Sequence, residues 1–464
     1  MARSQPNRSL AALLREADWN AAELARAVNE GGRLEGLVLR YDRTSIAHWL
    51  TGSRPRPPVP DLVAAAFSRR LGRLVAAGDT GLARPRRTLG EPAPTVGTEP
   101  DDAVHRLTVL IRADVDPVRR VPLVDSVYTL PADAGVPPVR EPRRAGRARS
   151  RGTRTRVTAE DIGMLREMSR LFADLMDRHG GAHARSALIA YLGDDISRLL
   201  VASAGSASRR ELLTATAQLT HQLARMTMDA GHPGLAQRYF TVALGLAREA
   251  DDCRLYAITL RAMSLQALHL GLHQQAWQLA DTAVRTAGPS TDPATLAFLL
   301  SQRAVTCAYT RQRRQAVRDL VTAEARHERA TSPPGPFTSY PRPGLDFQRG
   351  LALHALGDSV LAVHALAASV AARPADRHRA GALTHARLAA TLLPLGRLEE
   401  SCHHWHAFLD HYPYLRLAPA DRALWHLRES LHGFRRQPQA AAVLHRARAA
   451  PRAKTGPSGG RGPV

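Results

Sequence analysis

Three alanines, Ala236, Ala276 and Ala316, recur at intervals of 40 residues, and each sits in the same frame. Five residues earlier stands Gly231, Gly271 or Arg311; four later, Phe240, Ala280 or Leu320; seven later, Ala243, Ala283 or Ala323. A fixed period of this length marks a helix-turn-helix array, in which no pair of helices can bury its apolar face alone and each closes on the next. An alanine early in the second helix of a pair lets the two axes approach, and the larger residue one turn later fills the gap that remains. A fourth unit follows at Gly350, Gly357, Ala362 and Leu366, and a fifth at Ala389, Gly396, Ser401 and Trp405; the small residues are now 46 and then 39 apart. Pro333-Pro-Gly-Pro336 and Pro341-Arg-Pro343 interrupt the array and lengthen the 46-residue unit.

A chain of 464 residues has room for two or three domains. No apolar run reaches the roughly 18 residues of a membrane span, and the polar N-terminus leads straight into a helical pattern without a secretory core. Cys253, Cys307 and Cys402 form no CxxC spacing. The expectation is a reduced, cytoplasmic protein. The densest metal-like cluster is Cys402-His403-His404-Trp405-His406, but only Cys402 and His406 share a helical face and no second ligand pair accompanies them, so no metal is expected. Neither a Gly-rich phosphate loop, a GxSxG elbow, an HExxH motif nor a paired-carboxylate constellation is present. The reading is a protein that is not an enzyme and needs no cofactor.

The formal charge is +22, and Lys454 is the only lysine among 64 basic residues. Arginine usage this complete is also what GC-rich coding produces, so the informative question is where arginine stands beside a groove-sized helix. Residues 8–82 supply one. Leu10, Leu13, Leu14 and Ala17 recur at helical spacing, with Asp18-Trp19 closing that first helix. Asn20 and Glu23 read as a capping box for a second helix with Leu24, Ala25 and Val28 inward, stopped at Gly31-Gly32. Glu30 to Tyr41 then reads as a turn of twelve residues. Asp42 caps a third helix, Arg43 to Thr51, which Gly52 ends; Ile46, Trp49 and Leu50 face the core, and Thr44, Ala47, His48 and Thr51 form the opposite stripe. After the stiff Arg54-Pro-Arg-Pro-Pro-Val-Pro60, Asp61 caps a fourth helix with Leu62, Val63, Ala66, Phe67 and Leu71 inward.

Residues 83–157 are rich in Pro, Arg and Gly and read as a linker whose middle, Ala103 to Leu130, carries Val109, Leu110, Ile111, Val124 and Val127 and can pack as one or two short elements. Its basic run, 140–156, is either a solvated hinge or a source of phosphate attraction. From Thr158 the pattern is helical again: Ile162, Leu165, Met168, Leu171, Phe172, Leu175 and Met176 trace one face, ending at His179-Gly-Gly181. The helical array is placed at 158–447 and a disordered tail at 448–464.

Glu-Leu-Ala in the second helix, Thr-Ser-Ile-Ala-His-Trp-Leu-Thr-Gly in the third and proline before the fourth resemble the phage-repressor, or XRE, type of helix-turn-helix. That resemblance implies a third helix in the DNA major groove, with Arg43, Thr44, Ser45 and His48 at base edges or nearby phosphates, and Arg40, Arg54 and Arg56 on the backbone. Gly231, Ala236, Phe240 and Ala243 resemble the tetratricopeptide repeat, although units of 40 rather than about 34 residues also suit a HEAT-like array. Gly180-Gly-Ala-His-Ala-Arg185, Ala190-Tyr-Leu192 and Gly234-Leu-Ala-Gln-Arg-Tyr-Phe240 resemble actinobacterial regulators that join a helix-turn-helix to helical repeats, a group linked to differentiation and secondary metabolism. The expectation is a homodimeric, sequence-specific DNA-binding regulator whose array senses a peptide, protein or small ligand through Gln222, Arg225, Gln266, Gln302 and Arg303. The competing expectation is an interaction scaffold that never touches DNA.

Overall fold

The computed structural model describes residues 6–34, 39–55, 59–71, 75, 79–82, 102–124, 126, 128, 156–288, 291–331, 333 and 335–450. Among them the regular structure is helical, with one isolated bridge between Arg156 and Ser203. The chain is all-α, as its periodicity requires. It divides into two compact units: Met1–Pro100, with which the turn His269–Leu272 is grouped, and the remainder.

The first unit holds α1 (Arg8–Glu16), α2 (Ala21–Leu34), α3 (Arg43–Leu50) and α4 (Val59–Leu71). Asn7 caps α1 by accepting from the Leu10 amide, and the Asn20–Glu23 box opens α2 reciprocally: Asn20 Oδ1 accepts from the Ala22 and Glu23 amides while Glu23 accepts from the Asn20 amide. The helix runs through Gly31-Gly32 to Leu34 rather than stopping there, because neither glycine takes the left-handed conformation that a C-cap uses. The connection to α3 is therefore residues 35–42, eight residues instead of twelve. Asn29 fastens its end, donating to the Tyr41 carbonyl at 2.7 Å and accepting from the Tyr41 amide at 2.8 Å. Helix α4 begins at Val59, two residues before Asp61, since Pro60 fits a first turn whose amides need no partner. Leu10, Leu14, Leu24, Val28, Ile46, Trp49, Leu62, Val63 and Phe67 close a single core.

The second unit begins with α5 (Ala103–Val115) and α6 (Pro117–Val124), then α7 (Ala159–His179), α8 (Gly181–Tyr191), a π turn and α9 (Ser197–Val201). Pairs follow in sequence: α10 (Ser206–Asp229) with α11 (Pro233–Glu249), α12 (Cys253–His269) with α13 (His273–Ala287), and α14 (Pro293–Tyr309) with α15 (Arg313–Glu328). They continue as α16 (Arg342–Ala355) with α17 (Ser359–Ala371), α18 (His378–Leu392) with α19 (Leu398–His411), and α20 (Ala418–Ser430) with α21 (Pro438–Ala449). The expected tail thus starts no earlier than Ala450; residues 451–464 lie outside the described residues.

The repeat frame has a direct structural meaning. Gly231, Gly271, Arg311, Gly357 and Gly396 all have positive φ, from 61° to 88°, so the five pairs from α10–α11 to α18–α19 turn through a left-handed residue at the same place. Five residues on, Ala236, Ala276, Ala316, Ala362 and Ser401 are fully buried, where one helix crosses its partner. The crossing is close enough for the Ser264 hydroxyl to donate to the Ala276 carbonyl at 2.7 Å and the Ser401 hydroxyl to the Ala389 carbonyl at 2.9 Å. A Cβ on Gly350 would lie 2.6 Å from Leu366 Cγ, which explains a glycine inside α16.

Residues 102–124, placed in the linker on composition, form α5 and α6 and belong to the second unit, which starts at Asp101 rather than at 158. Leu107, Leu110 and Ile111 are buried, whereas Val109 is exposed and Val127 lies outside the described residues. The Asp114 carboxylate, fully buried, accepts from the Arg185 guanidinium at 2.5 Å and the Tyr239 hydroxyl at 2.6 Å; Arg185 also donates to Thr227 at 2.8 Å. A Cβ on Gly245 would meet that of Ala103 at 2.9 Å, and one on Gly234 would collide with the Ser126 carbonyl. Two strings that stand out in the sequence, 180–185 and 234–240, thus help form the seat of α5.

Candidate functional site

Two surfaces carry the residue types that sequence singled out, one in each unit. In the first, α3 is held by Asp42, which accepts from the Ser45 amide at 2.8 Å while the Ser45 hydroxyl lies within reach of the Asp42 amide. These bonds, from the Ser45 backbone first and its hydroxyl second, hold the Asp42 carboxyl below its ordinary pKa. Ile46 and Trp49 are buried, and Tyr41 packs edge-on against Trp49 at 5.0 Å. The opposite face, Thr44, Ala47, His48 and Thr51, is exposed together with Arg40, Arg43 and Arg54; Ser45 is half-buried by its capping role. Arg56 lies outside the described residues.

The second surface is the inner face of the array. First helices α7, α10, α12, α14, α16 and the start of α18 surround a cavity of about 740 Å³. Ion pairs join the two ends of this arc: Arg377 donates to Asp174 at 2.7 Å, and Arg379 grips Asp229 with two bonds at 2.8 and 2.9 Å. The Arg416 amide donates to the His179 carbonyl at 2.8 Å. The proline-rich insert does not splay the array. Its residues 335–341 fold inward, the Phe337 carbonyl held by Arg254 at 2.7 Å and the Tyr340 hydroxyl by Ser301 at 3.0 Å, while Pro341-Arg-Pro343 opens α16.

Arginine dominates the lining: Arg170, Arg225, Arg261, Arg373, Arg377 and Arg379 face Asp174 and Asp177. Arg377 and Arg379 are paired with carboxylates; among the described residues the others are not. Arg261, buried, donates to the Phe298 carbonyl at 2.9 Å and stands 3.5 Å over the Phe298 ring. Arg373 reaches the Pro343 carbonyl and Ser369, leaving its buried Nε without a partner. Arg225 has no hydrogen bond or ion pair among the described residues. Burial, then the neighbouring Arg379, lowers its pKa, and burial brings that of Arg261 to about 10. His221, buried between Phe240 and Phe337, is held well below its ordinary pKa by burial and then by Arg225 and Arg261, so its imidazole is neutral at pH 7.

Of the five residues that sequence proposed for ligand contact, Arg225 alone lines this cavity. The other four lie elsewhere, each held by partners. Gln222 donates to the Ser169 carbonyl, Gln266 to the Pro233 carbonyl and Gln302 to Ser264, all three buried in the packing between helices. Arg303 is locked by Asp319 through two bonds and by Asp281 through a third. Sequence missed Arg261, Arg373 and Arg379. The first lies at the i+3 position from Ile258 on a helix that reads as core, and the last two stand on either side of Pro374, in the connection from α17 and at the start of α18.

A ladder of imidazoles runs outside the cavity between α18 and α19. His385 Nδ1 lies 3.1 Å from His404 Nδ1 and His378 Nδ1 3.0 Å from His411 Nδ1. When both rings of a pair are neutral, one donates its Nδ1–H to the bare Nδ1 of the other. No group of three or more His, Cys, Asp or Glu among the described residues is arranged to hold a metal ion, and no described helix is long and apolar enough to cross a membrane.

A small helical unit followed by sequential helix pairs around an inner cavity defines a helical-repeat protein. Residues 10–83 match a family described as the SP15 N-terminal domain, which covers the first unit and none of the array. No curated protein and no solved structure shows a significant match to the chain.

Proposed function

We propose that the chain is a DNA-binding transcriptional regulator in which α3 reads DNA and the helical array holds an effector in its inner cavity. The observation that carries this reading is the two-sidedness of α3: Ile46 and Trp49 anchor it to the core, while Thr44, Ala47 and His48 are presented to solvent between Arg40, Arg43 and Arg54. A short helix with a polar face and basic ends suits the major groove, its arginines positioning it on phosphates and Thr44 and His48 reaching base edges. The shortened connection between α2 and α3, pinned at Tyr41 by Asn29, supports a fixed placement of α3. A homodimer reading two half-sites is the arrangement that such a unit favours. Differentiation or secondary metabolism is the process that the resemblance implies. No catalytic step is assigned.

Crosslinking and sequencing of bound DNA in the native host, for the wild type and for Arg43→Ala/His48→Ala, tests this reading. Discrete peaks lost in the double variant support it; peaks that persist unchanged, or none at all, refute it.

One observation favours the scaffold reading. Val317 and Val321, one turn apart on α15, are exposed, as are Val360 and Leu361 at the start of α17. Apolar groups repeated on second helices suit a protein partner. An affinity capture that recovers one stoichiometric partner, lost on Val321→Glu, combined with no DNA enrichment, would establish it.

A further inference from the structure

The geometry points to a small organic anion, with at least two negative charges on a flat apolar body, as the ligand of the inner cavity. This rests on the reading of that cavity as the effector site. Arg377 and Arg379 are answered by Asp174 and Asp229, and with Asp177 also present the six arginines of the lining still outnumber these three carboxylates, which leaves a net positive potential in the cavity. Arg225, Arg261 and Arg373 bring guanidinium groups to it without a carboxylate partner, an arrangement that costs stability unless an anion completes it. Arginine's planar fork matches a phosphate or carboxylate with two parallel bonds. The apolar part of the wall sets Phe298, Phe337, Tyr340 and Phe347 beside Met176, Met228, Ile258 and Leu265.

Size and enclosure point the same way. A volume of about 740 Å³ holds a drug-sized molecule and falls short of an extended peptide of more than a few residues. The insert 335–341 crosses the inner face that a long peptide would need, and Arg377 and Arg379 fasten the far side. A phosphate ester and a dicarboxylate present the same chemistry here, and the test separates them.

Calorimetry on the full-length protein at pH 7.5 and fixed ionic strength would compare phenyl phosphate, phthalate, inorganic phosphate and phenol. Phenyl phosphate or phthalate binds the wild type, phenol does not, and inorganic phosphate binds at least tenfold more weakly. Arg225→Met and, separately, Arg373→Met each lose at least tenfold, while Arg225→Lys, which keeps the charge but not the fork, retains part of the affinity. Thermal melts of the same samples confirm folding, and the ligand-free Arg225→Met protein is expected to melt no lower than the wild type. Absence of binding by both organic anions at millimolar concentration overturns the proposal. So does equal binding to wild type and both methionine variants, which would place the anion on the basic surface. Arg43→Ala/His48→Ala is expected to bind the anion as the wild type does, so loss of DNA binding and loss of anion binding report on separate claims.

Discussion

The Asp114 carboxylate is buried with Arg185 and Tyr239 as donors and with Arg120 3.5 Å from its second oxygen. Removing it by Asp114→Ala leaves the Arg185 guanidinium buried without its anion, and the expected loss is about 3–5 kcal/mol in urea unfolding. Asp114→Asn, which preserves shape and one acceptor, is expected to cost less. The opposite sign is expected at Arg311, the one turn residue of the five repeat units that is not glycine and yet has φ of 61°. Arg311→Gly relieves a left-handed backbone and gains up to about 1 kcal/mol, offset in part by unfolded-state entropy, which a thermal melt resolves. Single residues were the least legible level of the sequence. Gln222 and Gln302 look like surface amides because they are polar, but their partners, Ser169 and Ser264, lie 53 and 38 residues away, and nothing local announces that pairing. Arg225 was recognisable only as an arginine on a first helix; its lack of a partner belongs to the folded array.

Elements were far more legible, because what sets them is local. The left-handed turn at Gly231, Gly271 and Arg311 and the buried alanine five residues on are properties of one helix pair, so they repeat with the pair and surface as a period. Caps at Asn20 and Asp42 were readable for the same reason. Helices α5 and α6 fall where one or two short elements were expected, but their seat on the array was not legible, since Asp114 is held by residues 71 and 125 positions away. The imidazole ladder gives an element-scale prediction. Burial, followed by the neighbouring histidines, holds His385 and His404 at about 4. Their surroundings are His403 and His411, with Asp410 and Glu400 as opposing charges. Because the folded values lie below the unfolded value near 6.5, the unfolded state binds more protons between the two, and stability falls as pH drops from about 6.5 towards 4. Urea midpoints across that window should fall for the wild type and fall less steeply for His385→Gln/His404→Gln, the remainder coming from other histidines held low by burial, such as His221 and His411; an unchanged slope would mean that this pair does not contribute to the linkage.

At the scale of the molecule, composition told less than placement. A charge of +22 spread over 464 residues is compatible with either reading, whereas arginines flanking one exposed helix and arginines lining one cavity are two distinct demands for anions. The period foretold an array but not that α18 would be bound to α7 and α10 by Arg377 and Arg379, which is what encloses the cavity. If α3 docks on DNA, affinity should fall steeply with salt, and loss of one phosphate-contacting arginine should make the log–log slope shallower by about 1. The most direct measurement of the central claim is selection of bound duplexes from a random DNA library by the purified full-length protein, beside a folded Arg43→Ala/His48→Ala control. The account predicts a defined motif in two half-sites for the wild type and none for the double variant; a wild type that enriches nothing, or a variant that enriches the same motif, would contradict it.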